Sequence, residues 1–133
     1  IDPSLMVVGT FEYASGESGV KALMSNPGGP PTAIFTITDR LAVAAAGWLL
    51  RNGYHVPGDV SVACLDDPEL LSFCYPSITA MCFDYRQAGM RAASMLIESI
   101  EGGVAGDASS PSEVVMPYTL RVRESTCEPG ERQ

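Results

Sequence analysis

Residues 31–67 read PTAIFTITDRLAVAAAGWLLRNGYHVPGDVSVACLDD, and this stretch decides the fold. Its first part, 32–37, is uncharged and rich in β-branched and aromatic residues, which predicts a strand covered on both faces. Apolar residues then recur at three- and four-residue spacing through 41–49, which predicts a helix. Residues 60–65 form a second apolar strand, and two aspartates follow it directly.

Both predicted strands are buried and joined by a helix, so they should lie parallel with a right-handed crossover. Thr38 and Asp39 follow the first strand, and Asp66 and Asp67 follow the second. All four therefore emerge at the carboxyl edge of the sheet, where open α/β folds bind ligands. Thr38 or Asp39 is also a suitable N-cap for the helix. Gly53 is suited to end the helix, because glycine readily adopts the left-handed conformation found there.

The rest of the chain predicts further elements of the same α/β class. We expect Ser15 to cap the first helix, Asp84 to cap the last one, and Pro68 to open a short helix between them. Residues 103–112 form a loop of small residues, and the polar end from Glu124 is predicted to fray. The remaining strands are predicted at 5–8, 78–83, 114–116 and 118–123, and the helices at 17–25, 68–73 and 84–101.

The composition is that of a soluble single domain. Apolar residues make up 46% and charged residues 18% of the chain. There is no apolar run near the ~20 residues of a membrane span, so no membrane partner is expected. The formal net charge of −8, with eight Lys and Arg, would repel a phosphate backbone. This segment is therefore not expected to bind nucleic acid by itself.

Cys64, Cys74, Cys82 and Cys127 show no CxxC spacing. Two of them lie in or beside predicted strands, which is typical of reduced, mostly buried thiols in an intracellular protein. We therefore expect a cytoplasmic chain without cofactor or metal. A disulfide or a zinc site is the alternative.

Asp39, Asp66, Asp67 and Asp84 are the ionisable residues with a site-like placement. Paired acids can act as general acid and base or hold Mg²⁺. The simpler interpretation is that Asp39, Asp67 and Asp84 cap helices. Asp66 is the exception, because it precedes the cap position and no helix needs it. It is therefore the strongest candidate for a ligand contact.

Phe11 and Phe83 leave strand ends, where an aromatic ring either packs in the core or stacks on a ligand. His55 is the single histidine and lies in a turn, with no Ser or Cys in a recognisable catalytic arrangement. No GxGxxG motif or phosphate loop is present. Enzymatic activity is therefore not expected.

Three stretches together, the one quoted above with PSITAMCFDYRQAGMRAASMLIESIEGG and VVMPYTLRVREST, resemble the effector-binding domain of the lactose-repressor and galactose-repressor family. The resemblance runs from Gly9 to Thr126 and covers the later half of that domain. It implies a doubly wound, periplasmic-binding-protein-like type I fold of two subdomains. Residues 1–83 and 118–126 would form the second subdomain, 84–117 would belong to the first, and 127–133 would be a tail.

The resemblance also implies roles for five residues. Asp66 matches the acid that accepts hydrogen bonds from sugar hydroxyls in the family. Phe11 matches the aromatic residue that stacks on the sugar, and Asp39 matches the aspartate of an Asn-Asp pair. Thr38 stands where the family usually has Asn, and Phe83 where many members have Gln. Because these departures shorten or remove two polar contacts, a standard hexose is not assumed.

By this resemblance the chain is an effector-sensing and dimerisation module of a transcriptional repressor. A small molecule, a sugar or a nucleoside, is its expected ligand, and DNA is bound only through a helix-turn-helix outside this chain. The alternatives are a solute-binding protein of a sugar transporter and an enzyme that uses Asp39, Asp66 and Asp67 with a metal. Apolar residues left over on two helices predict a homodimer interface at Val43, Ala46, Leu50, Leu70, Leu71 and Phe73.

Overall fold

The computed structural model describes residues 2–101 and 113–128. The chain divides into two compact units, Ile1–Cys82 with Leu120–Gln133, and Phe83–Thr119. The first unit holds both strands that the sequence places at the centre of the fold. The predicted loop at 103–112 lies outside the described residues.

The first unit begins with a 3-10 turn and then alternates helices and strands, whereas the second unit is built on one long helix. No helix in the described ranges is long and apolar enough to cross a bilayer. In chain order the elements are the 3-10 turn Pro3–Leu5, α1 Tyr13–Met24, β1 Ala33–Thr36, α2 Asp39–Arg51, β2 Ser61–Cys64, α3 Leu70–Phe73, β3 Thr79–Phe83, α4 Tyr85–Glu101 and β4 Tyr118–Arg121.

The strands form one sheet in the order β1-β2-β3-β4. β1 runs parallel to β2 with Ile34 beside Val62, and β2 runs parallel to β3 with Cys64 beside Ala80. The parallel arrangement predicted from the stretch at 31–67 is therefore confirmed. Gly53 ends α2 with a φ of 82°, the left-handed conformation expected there.

The core lies between the sheet, α1 and α2. Small residues let α2 approach its neighbours closely: a Cβ added to Gly16 of α1 would come within 2.8 Å of the Ala44 Cβ. Val20 of α1 is buried. The core cluster is made of Val20, Ile34, Ala42, Ala45, Ala46, Leu49, Val56, Val60, Val62, Cys64, Leu71, Ile78 and Ala80.

The beginning of the chain differs from the prediction. Residues 5–8 do not form a strand, because none of the described strands lies beside them to complete a ladder. The Asp2 carboxylate instead caps the turn Pro3–Leu5 by accepting from the Ser4 backbone N–H at 2.8 Å. Ser15 lies inside α1 rather than at its cap, and its Oγ accepts from the Thr10 N–H.

The end of the chain also differs, since residues 114–116 form no strand and the segment after Glu124 is anchored where it is described. Ser125 is fully buried between β2 and β3. Its Oγ donates to the Val62 carbonyl at 2.6 Å and accepts from the Thr79 N–H at 2.8 Å. A buried hydroxyl with both partners fixes this segment in place, so the prediction that it frays was wrong.

Candidate functional site

The end of β1 leads into the first turn of α2. Thr38 is the N-cap of α2, and its Oγ1 accepts from the Leu41 N–H at a long 3.5 Å. The Thr36 hydroxyl donates to the Thr38 carbonyl at 2.9 Å and so fixes the turn. Asp39 is the first residue of the helix rather than its cap, which corrects the simpler interpretation for that residue.

The end of β2 carries a buried thiol and two aspartates. The Cys64 Sγ donates to the Asp66 carbonyl at 3.1 Å. Burial and the neighbouring carboxylates of Asp39, Asp66 and Asp67 together raise the pKa of Cys64 to about 12, with burial as the largest cause, while Arg123 opposes the shift. The thiol is therefore neutral at neutral pH and a poor nucleophile. Asp39 follows β1, and Asp66 and Asp67 follow β2, so three carboxylates lie at the carboxyl edge of these two strands.

Asp67 is not a helix cap, contrary to the simpler interpretation. α3 has no side-chain cap, and the Asp67 side chain is only 2% exposed. The guanidinium of Arg123 lies 2.7 Å from one of its oxygens, and that of Arg121 lies 3.1 Å from the other. These contacts have ion-pair distances without the alignment of hydrogen bonds. Asp67 therefore forms ion pairs with two arginines near the end of the chain and fixes that segment.

Asp84 caps α4 as predicted, since its Oδ1 accepts from the Gln87 N–H at 2.9 Å. That carboxylate belongs to the second unit.

Phe11 lies at the same end of the first unit as Thr36 and Ile37. Phe11 is 60% exposed, and all three residues line a cavity of about 640 Å³. An aromatic ring exposed to this extent is free to stack on a ligand. Phe83 belongs to the second unit, where its ring packs against Tyr85 and Tyr118 at centroid distances of 5.1 and 4.9 Å. Its contact with a ligand stays a prediction.

Sequence similarity to known proteins identifies the family of this chain. The family described as "Periplasmic binding protein-like domain" matches residues 6–126. The chain belongs to that family. The HTH-type transcriptional repressor CytR of Escherichia coli K12 is 30% identical over 126 residues, which is 95% of this chain and 36% of the repressor. The chain thus spans about a third of the length of this relative.

Solved structures of the periplasmic binding protein-like family agree with this fold. A complex of the transcriptional regulator CelR with cellobiose superposes with a TM-score of 0.81 at 29% identity, covering 94% of this chain and 37% of that one. The lac repressor dimer bound to operator and an anti-inducer superposes with a TM-score of 0.77 at 27% identity, covering 90% and 40%. The relatives are transcriptional repressors rather than enzymes.

The groups at the candidate site are suited to recognising a small molecule. A carboxylate accepts several hydrogen bonds and suits neighbouring hydroxyl groups, and Phe11 offers an apolar face. Two ion pairs occupy Asp67, which removes it from the proposed metal-binding trio with Asp39 and Asp66. Within 2–101 and 113–128, no group of three or more His, Cys, Asp and Glu could hold a metal ion.

The predicted dimer surface is only partly exposed. Leu50, Leu70 and Phe73 are 38%, 50% and 78% exposed, and Val43 is half-buried. Ala46 and Leu71 are buried in the core cluster, so their assignment to an interface was wrong.

Arg121 and Arg123 are the functional partners that sequence reasoning missed. They alternate with apolar residues near β4, which puts both side chains on one face of an extended segment. That pattern indicates a shared partner but does not name Asp67, which lies far away in the sequence.

Proposed function

We propose that this chain is the effector-sensing part of a cytoplasmic transcriptional repressor of the LacI type. The observation that carries the proposal is the placement of Asp39 and Asp66 after the adjacent parallel strands β1 and β2, at the carboxyl edge of the sheet. Phe11 is exposed ahead of α1 and lines the same cavity as Thr36 and Ile37. Together these groups suit a small molecule with hydroxyls on one side and an apolar face on the other.

We propose a sugar or a nucleoside as the ligand, and of these two classes the relatives support a sugar. CelR is seen in complex with cellobiose, and the lac repressor is seen bound to operator and an anti-inducer. We propose that DNA is bound by a helix-turn-helix outside these 133 residues, because the chain itself carries a formal net charge of −8. We also propose that Phe83–Thr119 contributes to the first subdomain of the effector domain, and the other unit to the second.

A ligand panel tests the proposed function. Cellobiose, ribose, cytidine and hypoxanthine, each titrated against a protein that includes the complete effector domain, should separate into one stabilising ligand class and inert controls. A ligand at 100 times its Kd stabilises the folded state by about 2.7 kcal/mol. We therefore expect one class to raise the melting temperature by several degrees. A panel extended to other sugars and nucleosides with no shift at all would contradict the proposal.

Homodimerisation is the second expectation for the first unit. Phe73 and Leu70 are exposed on α3, and Leu50 is exposed on α2, so burying them together would remove apolar surface from water. We expect Phe73→Glu to weaken the dimer by roughly tenfold or more, because an unpaired charge would be buried at the interface. Sedimentation velocity over a concentration series measures the effect.

Val115→Glu is the matched control, since Val115 is 84% exposed and lies in the second unit. It should leave the association constant unchanged. A wild-type chain that stays monomeric at high concentration, with the same sedimentation as Phe73→Glu, would refute the interface.

A further inference from the structure

Residues 9–11 form a turn that leads into α1 and carries Phe11 outside any helix or strand. Within the described residues, no other aromatic ring packs against Phe11, and its backbone N–H and C=O make no hydrogen bond. An exposed residue outside regular structure samples several conformations unless its neighbours restrict it. The order of the Phe11 ring before a ligand binds therefore depends on what holds residues 9–11.

Ser15 holds this turn by a hydrogen bond to its middle residue. The Thr10 N–H donates to the Ser15 Oγ at 3.0 Å. The N-cap of α1, Glu12, makes no side-chain cap, so the first turn of the helix is joined to the preceding backbone by a residue inside the helix instead. A side chain three residues after the N-cap reaches back in the same way in a capping box.

Gly9 leaves the room that this bond needs. A Cβ added at residue 9 would lie 2.1 Å from the Ser15 Oγ, far inside van der Waals contact. Any other residue type at this position would therefore push the hydroxyl away from the Thr10 N–H. Gly9 and Ser15 thus act as a pair, in which the missing side chain of one makes space for the hydroxyl of the other.

The helix that carries Ser15 is itself closely packed against α2. The next residue, Gly16, is buried, and a Cβ added there would lie 2.8 Å from the Ala44 Cβ. So close an approach leaves the two helices little freedom to shift relative to each other at this point. The position of the Ser15 hydroxyl is therefore set by the packing of α1 on α2.

A second contact holds the other side of the turn. The Arg40 guanidinium lies over the Tyr13 ring, 6.0 Å from its centre, which is within the range of a cation–π contact. Arg40 directly follows Asp39, the first residue of α2. Phe11 thus lies between two residues, Thr10 and Tyr13, that are both held in relation to the helix carrying a candidate ligand residue.

We propose that Ser15 is a positioning residue of the effector site, which fixes residues 9–11 so that the Phe11 ring is ordered before the effector binds. The proposal rests on the proposed function, because Phe11 is the candidate stacking residue of that site. Ser15 acts through Phe11 and not by touching the effector. Its contribution is to lower the conformational entropy that is lost on binding.

Calorimetry on a protein that includes the complete effector domain tests the proposal, with the ligand selected by the panel. Ser15→Ala should weaken binding by about tenfold, because the turn must then be ordered during binding. Alanine favours helix, so the variant should fold. Ser18→Ala is the matched control, since the Ser18 Oγ donates to the Ser15 carbonyl at 3.1 Å in the same helix and its loss leaves the bond to Thr10 intact. Equal affinity of Ser15→Ala and the wild type would overturn the proposal.

A double-mutant cycle separates positioning from a general structural role. In a Phe11→Ala protein, Ser15→Ala should cause no further loss of affinity, because the residue through which it acts is gone. Gly9→Ala should weaken binding about as much as Ser15→Ala, since its Cβ displaces the hydroxyl. A tenfold loss on Ser15→Ala that persists in the Phe11→Ala protein would indicate a general loosening of the fold and would overturn the positioning role.

Hydrogen exchange without ligand reports on the same bond. Ser15→Ala should speed exchange of the Thr10 amide by roughly fivefold, and Ser18→Ala should leave it unchanged. A Thr10 rate that is the same in Ser15→Ala and the wild type would overturn the proposal. A panel in which the wild type binds nothing would refute the proposed function, whereas a wild type that binds no better than Ser15→Ala would refute the role of Ser15 alone.

Discussion

Asp67→Asn should lower the free energy of unfolding by roughly 3 kcal/mol, because it removes one partner of a buried charge cluster. The Asp67 side chain is 2% exposed and that of Arg123 is 15% exposed, so little water can replace the lost carboxylate. Arg123 also donates to the Ile78 carbonyl at 2.6 Å, which holds its charge in place after the substitution. Urea denaturation measured by circular dichroism provides the free energy.

Arg121→Gln is the control for this prediction. The Arg121 side chain is 59% exposed, so its ion pair with Asp67 is screened by solvent and should contribute less than about 1 kcal/mol. Equal destabilisation by Asp67→Asn and Arg121→Gln would show that burial does not set the strength of these contacts. A stability loss below about 0.5 kcal/mol for Asp67→Asn would show that the carboxylate is dispensable.

Asp66→Asn should weaken effector binding by roughly 10- to 1,000-fold. One or two charged hydrogen bonds to ligand hydroxyls are worth about 1.5 to 3 kcal/mol each, and each 1.4 kcal/mol changes affinity about tenfold. The residue follows β2 directly and is half-buried, and no helix uses it as a cap. The substitution keeps the shape of the side chain, so stability should change by less than about 1 kcal/mol.

The two neighbouring aspartates thus form a matched pair with opposite expected outcomes. Calorimetry with the ligand found in the panel should show a large loss of affinity for Asp66→Asn and a small one for Asp67→Asn. Thermal melts without ligand should show the reverse order. Unchanged affinity in Asp66→Asn would remove that residue from the site.

The centre of the fold was predictable because its signals are local. Residues 31–67 carry apolar runs of the right length, a capping threonine and a glycine with positive φ, and each of these acts within a few residues. The parallel pairing of β1 and β2 then follows from the helix that joins them.

The errors arise where a residue depends on distant parts of the chain. Residues 5–8 have the composition of a strand, but a strand also needs a neighbour to pair with. Ala46 was assigned to an interface because it was left over once one apolar stripe of α2 had been placed against the sheet. The helix packs against both the sheet and α1, so a wider face is buried.

The roles of residues at the candidate site were also predictable where they depend on local sequence and unpredictable where they depend on distant residues. Connectivity alone brings Asp39 and Asp66 to one edge of the sheet, which is why both could be named from the sequence. The role of Asp67 could not, because its partners, Arg121 and Arg123, come from the other end of the chain. A carboxylate that follows a strand looks the same in sequence whether it faces a ligand or an arginine.

The most direct test of the central claim is a crystal structure of the complete effector domain with the ligand selected by the panel. We expect a ligand hydroxyl within about 2.5 to 3.0 Å of an Asp66 carboxylate oxygen, with the Phe11 ring against an apolar face of the ligand. A ligand bound elsewhere, or one with no hydroxyl within hydrogen-bonding distance of Asp66, would contradict it.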